Sequence, residues 1–237
     1  MTDTTPTITT HDPEGAHALR EPLLAVYTAG YAPHPANPMR TAERHWSRVA
    51  EYTTRPGFRL ATVHLADELV GYTYGHTLPR GTRWWDGLLT PPDDPDLLVE
   101  DGRRTFAWLD LAVLPRCQGR GYAHLLRDAL LTDRPESRAA LVVESGNVKL
   151  HAMYRAWGWI PVGDLRPAPD SPTYHAMLHD LPLRQVVGDG NRRATRSRDA
   201  SARFRSGSAS DVTHPAVVAP VDDLVPMHGG TAPASSR

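Results

Sequence analysis

The sequence predicts an α/β domain in which a mixed β-sheet is flanked by helices. Two passages, Leu109–Leu130 and Ala139–Trp159, each read as a strand, a turn and a helix. Apolar residues in them switch from a continuous run to an i, i+3, i+4, i+7 stripe, the change that separates a buried strand from an amphipathic helix. Hydrophobic residues make up 40% of the chain, enough for a real core.

The elements follow in order. Residues 1–12 are polar and read as a flexible N-terminus, with Pro6 to Thr10 the place for a first strand. Pro13 to Tyr31 reads as helical, with Leu19, Leu23, Leu24 and Tyr27 on one side; Pro22 makes the helix kink or begin there. Pro33 to Pro38 is a loop. Thr41 to Tyr52 is a second helix with Trp46 and Val49 inward. Phe58 to Leu65 and Glu68 to Leu78 form a hairpin around Ala66 and Asp67. Arg80 to Gly102 is irregular, proline-rich and acidic. Arg104 to Leu114 is a strand stopped by Pro115, followed by a glycine turn and a helix marked by Leu125, Leu126, Ala129 and Leu130. After the strand at Ala139–Glu144, Asn147 is a good N-cap and Gly158 a good terminator for the next helix. Trp159–Val162 and Tyr174–Leu181 complete the strands.

Composition narrows the function. The net charge of −1 argues against a general nucleic-acid or membrane surface, and no apolar run approaches a membrane span. Cys117 is the only cysteine, which fits a reducing cytoplasm, and Met1 to Pro6 lack the basic and apolar regions of a signal peptide. Lys149 is the only lysine among 26 basic residues.

The turn Gln118-Gly119-Arg120-Gly121-Tyr122-Ala123 carries the most specific signal. Its glycines can take positive φ and admit close approach to the backbone. The helix that follows opens with unpaired N–H groups at the positive end of its dipole, a place suited to a diphosphate. A Walker loop would need Lys and then Ser or Thr after Gly121, where Tyr122 and Ala123 stand. A dinucleotide fingerprint would need Gly or Ala where His124 stands. The turn resembles the (Gln/Arg)-x-x-Gly-x-(Gly/Ala) signature of the Gcn5-related N-acetyltransferases at every fixed position, and Val113-Leu114-Pro115 resembles the lead-in to it. A second passage resembles the same family: Asn147, Tyr154 seven residues on, and the Gly158-Trp159 pair four further. The resemblance covers roughly residues 10–182.

That resemblance implies the acetyltransferase fold, a splayed mixed sheet flanked by helices, with residues 13–183 as the domain and acetyl-CoA as cosubstrate. It implies that backbone groups of Leu111, Ala112 and Val113 pair with the pantetheine arm. It places the diphosphate on N–H groups from Gln118 through Gly119, Arg120, Gly121, Tyr122 and Ala123 to His124, with Arg120 adding charge. It gives Asn147 a hydrogen bond to the arm, although the residue also reads as a cap and nothing more. Tyr154 matches the family's general acid, since a phenol holds its proton at neutral pH; it also reads as a core tyrosine. Some relatives place a base within the strand before the Asn; here Leu141, Val142 and Val143 fill it, with Glu144 only at the end. Asp110, on the strand before the glycine turn, is the candidate base, by strand alternation on the face opposite Leu109 and Leu111.

The expected reaction is direct transfer of an acetyl group to a primary amine of a small molecule or protein. The alternative is a relative that binds acyl-CoA without turnover, as a sensor or partner module. Asp86, Asp93, Asp94, Asp96, Glu100 and Asp101 would favour a cationic acceptor if they line the pocket, and Trp84 and Trp85 line it or pin the loop. A homodimer is an expected state; nucleic acid, membrane and metal are not expected partners. His175 and His179 lie four apart on a strand, where they do not converge, and Cys117 lacks a marked base and reads as incidental.

Beyond Leu183 the composition turns to Gly, Ser, Arg, Pro and Ala, and residues 184–237 read as a disordered tail with a basic first half from Arg192 to Arg205. Truncation after Arg184 is expected to leave melting temperature and acetylation rate unchanged in a thermal melt and a thiol-release assay. Loss of folding or of a dimer would place the boundary elsewhere.

Overall fold

The computed structural model describes residues 5–31 and 41–183. Pro33 to Pro38 and the 184–237 tail lie outside the described residues. Strands β1 (Pro6–His11), β2 (Arg59–Leu65), β3 (Glu68–Thr77), β4 (Thr105–Val113), β5 (Arg138–Glu144), β6 (Ile160–Leu165) and β7 (Tyr174–Asp180) form one sheet in the order β1-β2-β3-β4-β5-β7-β6. Every neighbouring pair is antiparallel except β4 and β5, which are parallel. The helices are α1 (Pro13–Ala18), α2 (Arg20–Tyr31), α3 (Ala42–Thr53), α4 (Tyr122–Leu131) and α5 (Val148–Ala156).

Two N-terminal readings need correction. Half of the segment read as flexible is β1, at the place given for a first strand, paired with β2 from Pro6↔Leu65 to His11↔Leu60. Ile8 is its only large apolar residue and packs on the core, so the strand has little apolar signal of its own. The long first helix is two helices. Asp12 caps α1 by accepting from the Gly15 N–H at 2.9 Å, and the chain breaks at Leu19. Pro22 then falls in the first turn of α2, where its missing N–H costs nothing.

The sheet is covered on both faces. Tyr72, Tyr74 and His76 alternate onto one face, where their rings meet His45 and Tyr52 of α3. Arg59 pairs with Gly75 on the other face and donates to the last carbonyls of α4, at Leu130 and Thr132.

β4 carries a bulge that resets its alternation. Asp110 pairs with Tyr74 and Trp108 with Gly75, so Leu109 is the extra residue. Paired residues share a face. Phe106 and Trp108 therefore face α4 before the bulge, and Leu111 and Val113 do so after it. Asp110 and Ala112 turn to the α3 side with Tyr74 and Tyr72. Asp110 does lie opposite Leu111, as alternation predicts, but it also lies opposite Trp108, which alternation does not.

β4 and β5 are joined only at Thr105↔Arg138, Phe106↔Ala139 and Ala107↔Ala140. The joined end is clamped by a buried cluster. Arg138 donates to Glu100 at 2.8 Å and to Thr105 Oγ1 at 2.7 Å, while Thr105 and Trp85 both donate to Glu100. Trp84 and Trp85 are buried and pin the irregular segment. Beyond Ala107 the strands part, and Trp108 packs against Tyr154, Trp159 and Trp157 at centroid distances of 5.6, 5.6 and 6.3 Å.

Gly75 sits tight against β4. A Cβ there would lie 2.2 Å from the Ala107 carbonyl oxygen and 2.6 Å from the Phe106 ring. Backbone and a core ring cannot step aside cheaply, so Gly75→Ala is expected to cost about 3 kcal/mol, read as a lower denaturation midpoint. An unchanged midpoint would mean that the bulge relaxes around the methyl.

Candidate active site

The parting of β4 from β5 opens a cleft of about 500 Å³. Leu111 and Val113 of β4 form its floor. One wall is the glycine turn and the start of α4, from Cys117 and Gln118 through Gly119, Gly121, Tyr122 and Ala123 to His124. The other wall is Asn147 and α5, through Lys149, Leu150, Met153 and Trp157.

The turn is shaped for an anion. Gly119 and Gly121 have φ of +74° and +82°, values that favour glycine. A Cβ built on either meets nothing within 4 Å, so the space in front of both is open. Gly121 is the N-cap of α4 and no side chain caps the helix. Among the described residues its Tyr122 and Ala123 N–H groups have no protein acceptor, and they stand with the positive end of the dipole at the cleft. The cradle is shorter than expected. The Gln118 N–H bonds Pro115 O and the His124 N–H bonds Gly121 O, which confines it to Gly119–Ala123. Arg120 is exposed and does not line the cleft; Lys149 does. His124 is held below its usual pKa by burial and by the Arg127 guanidinium, so it adds no charge at neutral pH.

Two groups expected to lie free on the β4 edge are occupied by the chain itself. The Leu111 N–H donates to Asp110 Oδ1 at 2.8 Å, and the Gln118 side-chain amide donates to the Val113 carbonyl at 3.0 Å. Ala112 is buried and faces the α3 side, so its backbone, not its side chain, remains the expected contact. Asn147 is a cap, its Oδ1 accepting from the Leu150 N–H at 3.2 Å.

Tyr154 and Asp110 lie behind the cleft rather than in its wall. Tyr154 is fully buried, and its hydroxyl has no hydrogen-bond partner among the described residues. Burial, and then the negative charge of Asp110, push its pKa well above the ordinary phenol value, so it keeps its proton. Asp110 is 5% exposed and accepts from the Tyr72 hydroxyl at 3.0 Å.

The sequence reading missed several residues here. Leu150, Met153 and Trp157 belong to the stripe read as core, and this stripe also walls the cleft. Lys149 stood out only as the lone lysine. Cys117 is buried in the wall. His45 had a legible signal: it shares an i, i+4, i+7 stripe with Val49 and Tyr52, and all three are buried. His175 bonds Asp164 at 2.8 Å and His179 bonds the Asp180 carbonyl, so the two do not converge.

Residues 21–159 match the profile of the acetyltransferase (GNAT) family, more than half of the 237 residues. The chain belongs to this family. The family's cosubstrate is acetyl-CoA, and the open, uncapped glycine turn fits its diphosphate. Solved structures share the fold at low identity. The aminoglycoside 6'-acetyltransferase type Ii superposes with a TM-score of 0.54 at 15% identity, over 76% of this chain and 99% of that one. The ribosomal-protein-S18-alanine N-acetyltransferase from Escherichia coli gives 0.51 at 13%, over 77% and 98%. A GNAT-family acetyltransferase from Streptococcus pneumoniae gives 0.51 at 12%, over 75% and 100%. No curated protein matches the chain. No helix among the described residues is long and apolar enough to cross a membrane.

Gly121→Asp would put a side chain and a negative charge into the open space of the acetyltransferase's turn. Acetyl-CoA affinity is expected to fall at least tenfold, about 1.4 kcal/mol, by calorimetry. Unchanged binding would remove the diphosphate from this turn.

Proposed function

We propose that this acetyltransferase transfers an acetyl group from acetyl-CoA to a primary amine by direct attack within a ternary complex. The observation that carries this reading is the cleft itself: an uncapped helix N-terminus with two left-handed glycines, continuous with an opened strand edge. When bound, acetyl-CoA supplies an activated thioester. The backbone of Gly119–Ala123 would hold its diphosphate, with Lys149 as the full positive charge in the wall. The β4 edge from Leu111 to Val113 would align the pantetheine arm.

Two side chains then have proton roles. Asp110 would accept the proton of the attacking amine. Tyr154 would give its proton to the departing sulfur, a role supported by its protonated, unpartnered hydroxyl. The ring packing around Tyr154 excludes water, so its proton has no competing acceptor from solvent.

The acceptor is left open as a primary amine. The acidic segment gives little support for a cationic one, because most of its carboxylates serve the segment. Asp86 pairs with Arg83, Asp94 accepts from the Asp96 N–H, Asp101 accepts from the Arg103 N–H, and Glu100 is buried on Arg138. Two of the three named structures act, by their names, on an aminoglycoside and on a protein alanine. A shared fold does not choose between such acceptors. A binding-only role has one observation in its favour, that neither Tyr154 nor Asp110 lines the cleft.

Free-thiol release from acetyl-CoA with a panel of primary amines separates the two readings. Tyr154→Phe keeps the ring packing and removes the proton. Its kcat is expected to fall by about 10²–10⁴, with melting temperature and CoA affinity held. A fully active variant would return Tyr154 to the core, and absence of thiol release with every amine would favour the binding module.

A further inference from the structure

Asp110 is a carboxylate with almost no access to water, and an isolated buried carboxylate takes up a proton instead of staying ionised. This one is not isolated. Leu111 N–H donates to Oδ1 at 2.8 Å, and the Tyr72 hydroxyl donates to Oδ2 at 3.0 Å. An ionised Asp110 can only accept, so with the anion in place the single hydroxyl proton of Tyr72 points at it. The Tyr72 oxygen is thereby left as an acceptor, with His45 Nε2 3.1 Å away. That nitrogen must carry its proton toward Tyr72. His45 Nε2–H, Tyr72 O–H and Asp110 Oδ2 thus form a chain in which every proton points toward the carboxylate.

We propose that Tyr72 and His45 are positioning residues that hold Asp110 ionised and aimed for proton abstraction, an inference that rests on the acetyltransferase reading above. The chain spans three elements: His45 on α3, Tyr72 on β3 and Asp110 on β4. The bulge at Leu109 permits it, because regular alternation through Leu109 would put Asp110 on the α4 face with Trp108. Tyr27 of α2 stacks on His45 at 3.9 Å and 10°, which fixes the imidazole plane. Burial and the nearby Arg48 guanidinium push His45 down to about 3. The ring is neutral at working pH, so its approach to Asp110 Oδ2, 3.8 Å, is not an ion pair. The contribution is a directed dipole chain of the kind that strengthens in a dry interior.

The other titratable groups about this chain are Tyr74 on β3, paired with Asp110, and Tyr154 on α5, which feels the Asp110 charge. Arg48 on α3 and Tyr27 on α2 adjoin His45. In the proposed step the amine N–H bond breaks, its electron pair stays on nitrogen for the attack, and the proton bonds a carboxylate oxygen of Asp110. No further reactant is required.

Donors to a carboxylate lower its pKa, so removing one raises it and moves loss of the anion to higher pH. The test is ¹³C NMR of the full chain labelled at aspartate carboxyls, with the Asp110 signal assigned by its absence in Asp110→Asn, or in Asp110→Ser if the first does not fold. In the wild type Asp110 is expected to be ionised through the neutral range. Tyr72→Phe should raise its titration midpoint by about one pH unit or more. His45→Leu should raise it less. His45→Gln, whose amide N–H can donate in the same place, should restore the wild-type midpoint. CoA affinity by calorimetry should be unchanged in the Tyr72 and His45 variants. For any amine that releases thiol, the Tyr72→Phe loss in kcat/KM should be larger at pH 6 than at pH 8. An Asp110 midpoint that does not move in Tyr72→Phe overturns the proposal, as does an Asp110 protonated at neutral pH in the wild type. Expected titrations without acetylation of any amine would keep the holding chain and remove the acetyltransferase reading. Acetylation with an unmoved midpoint would do the reverse.

Discussion

The parallel pairing of β4 with β5 stops after Ala107, and the site depends on that stop. Had the ladder continued, Leu111 and Val113 would pair with a neighbouring strand and the cleft would close. The chain enforces the stop from both ends. At the start of the strands, Arg138, Glu100 and Thr105 form a buried hydrogen-bonded cluster that holds them in register. Past the third pair, Trp108, Tyr154, Trp157 and Trp159 occupy the space with rings that pack at angles from parallel to perpendicular. Breaking the Arg138–Glu100 pair would leave a buried charge without its partner, a cost of several kcal/mol. The parting is therefore built into the core.

An opened strand edge has its own cost, because unpaired backbone groups in a half-dry cleft are unfavourable. The chain offsets part of it internally. Asp110 takes the Leu111 N–H, and Gln118 reaches back to the Val113 carbonyl. Exchanging a neutral protein–protein hydrogen bond for a protein–ligand one changes the free energy little. The Gln118 amide could thus exchange with a ligand amide at Val113 at little cost. Charge follows a similar economy. The turn itself uses backbone dipoles, and the one full cation among the wall residues comes across the cleft from Lys149.

Much of this was legible in the sequence, and what was not has a common cause. The glycine turn, its helix and the Asn147–Tyr154–Gly158 spacing are local patterns, and local patterns survive in a linear reading. β1 was only half seen, because a threonine-rich edge strand with one core residue owes its existence to β2. The break at Leu19 was displaced toward Pro22, because the Asp12 cap and the start of α2 decide it together. The bulge at Leu109 was invisible, since it is defined by the partner strand. With it went the reason that Asp110 meets Tyr72 and His45, which are 38 and 65 residues away in sequence. Arg120 was favoured over Lys149 by proximity to the glycines, whereas the fold brings Lys149 to the wall from 29 residues further on.

The central claim is that the cleft between β4 and β5 is the acetyl-CoA site. A crystal structure of the full chain with CoA tests it most directly. The claim predicts the diphosphate on the N–H groups of Gly119–Ala123 and a pantetheine amide on the Val113 carbonyl, with the Gln118 side chain turned away from it. CoA bound elsewhere, or bound here with the Gln118–Val113 hydrogen bond intact, would contradict the account.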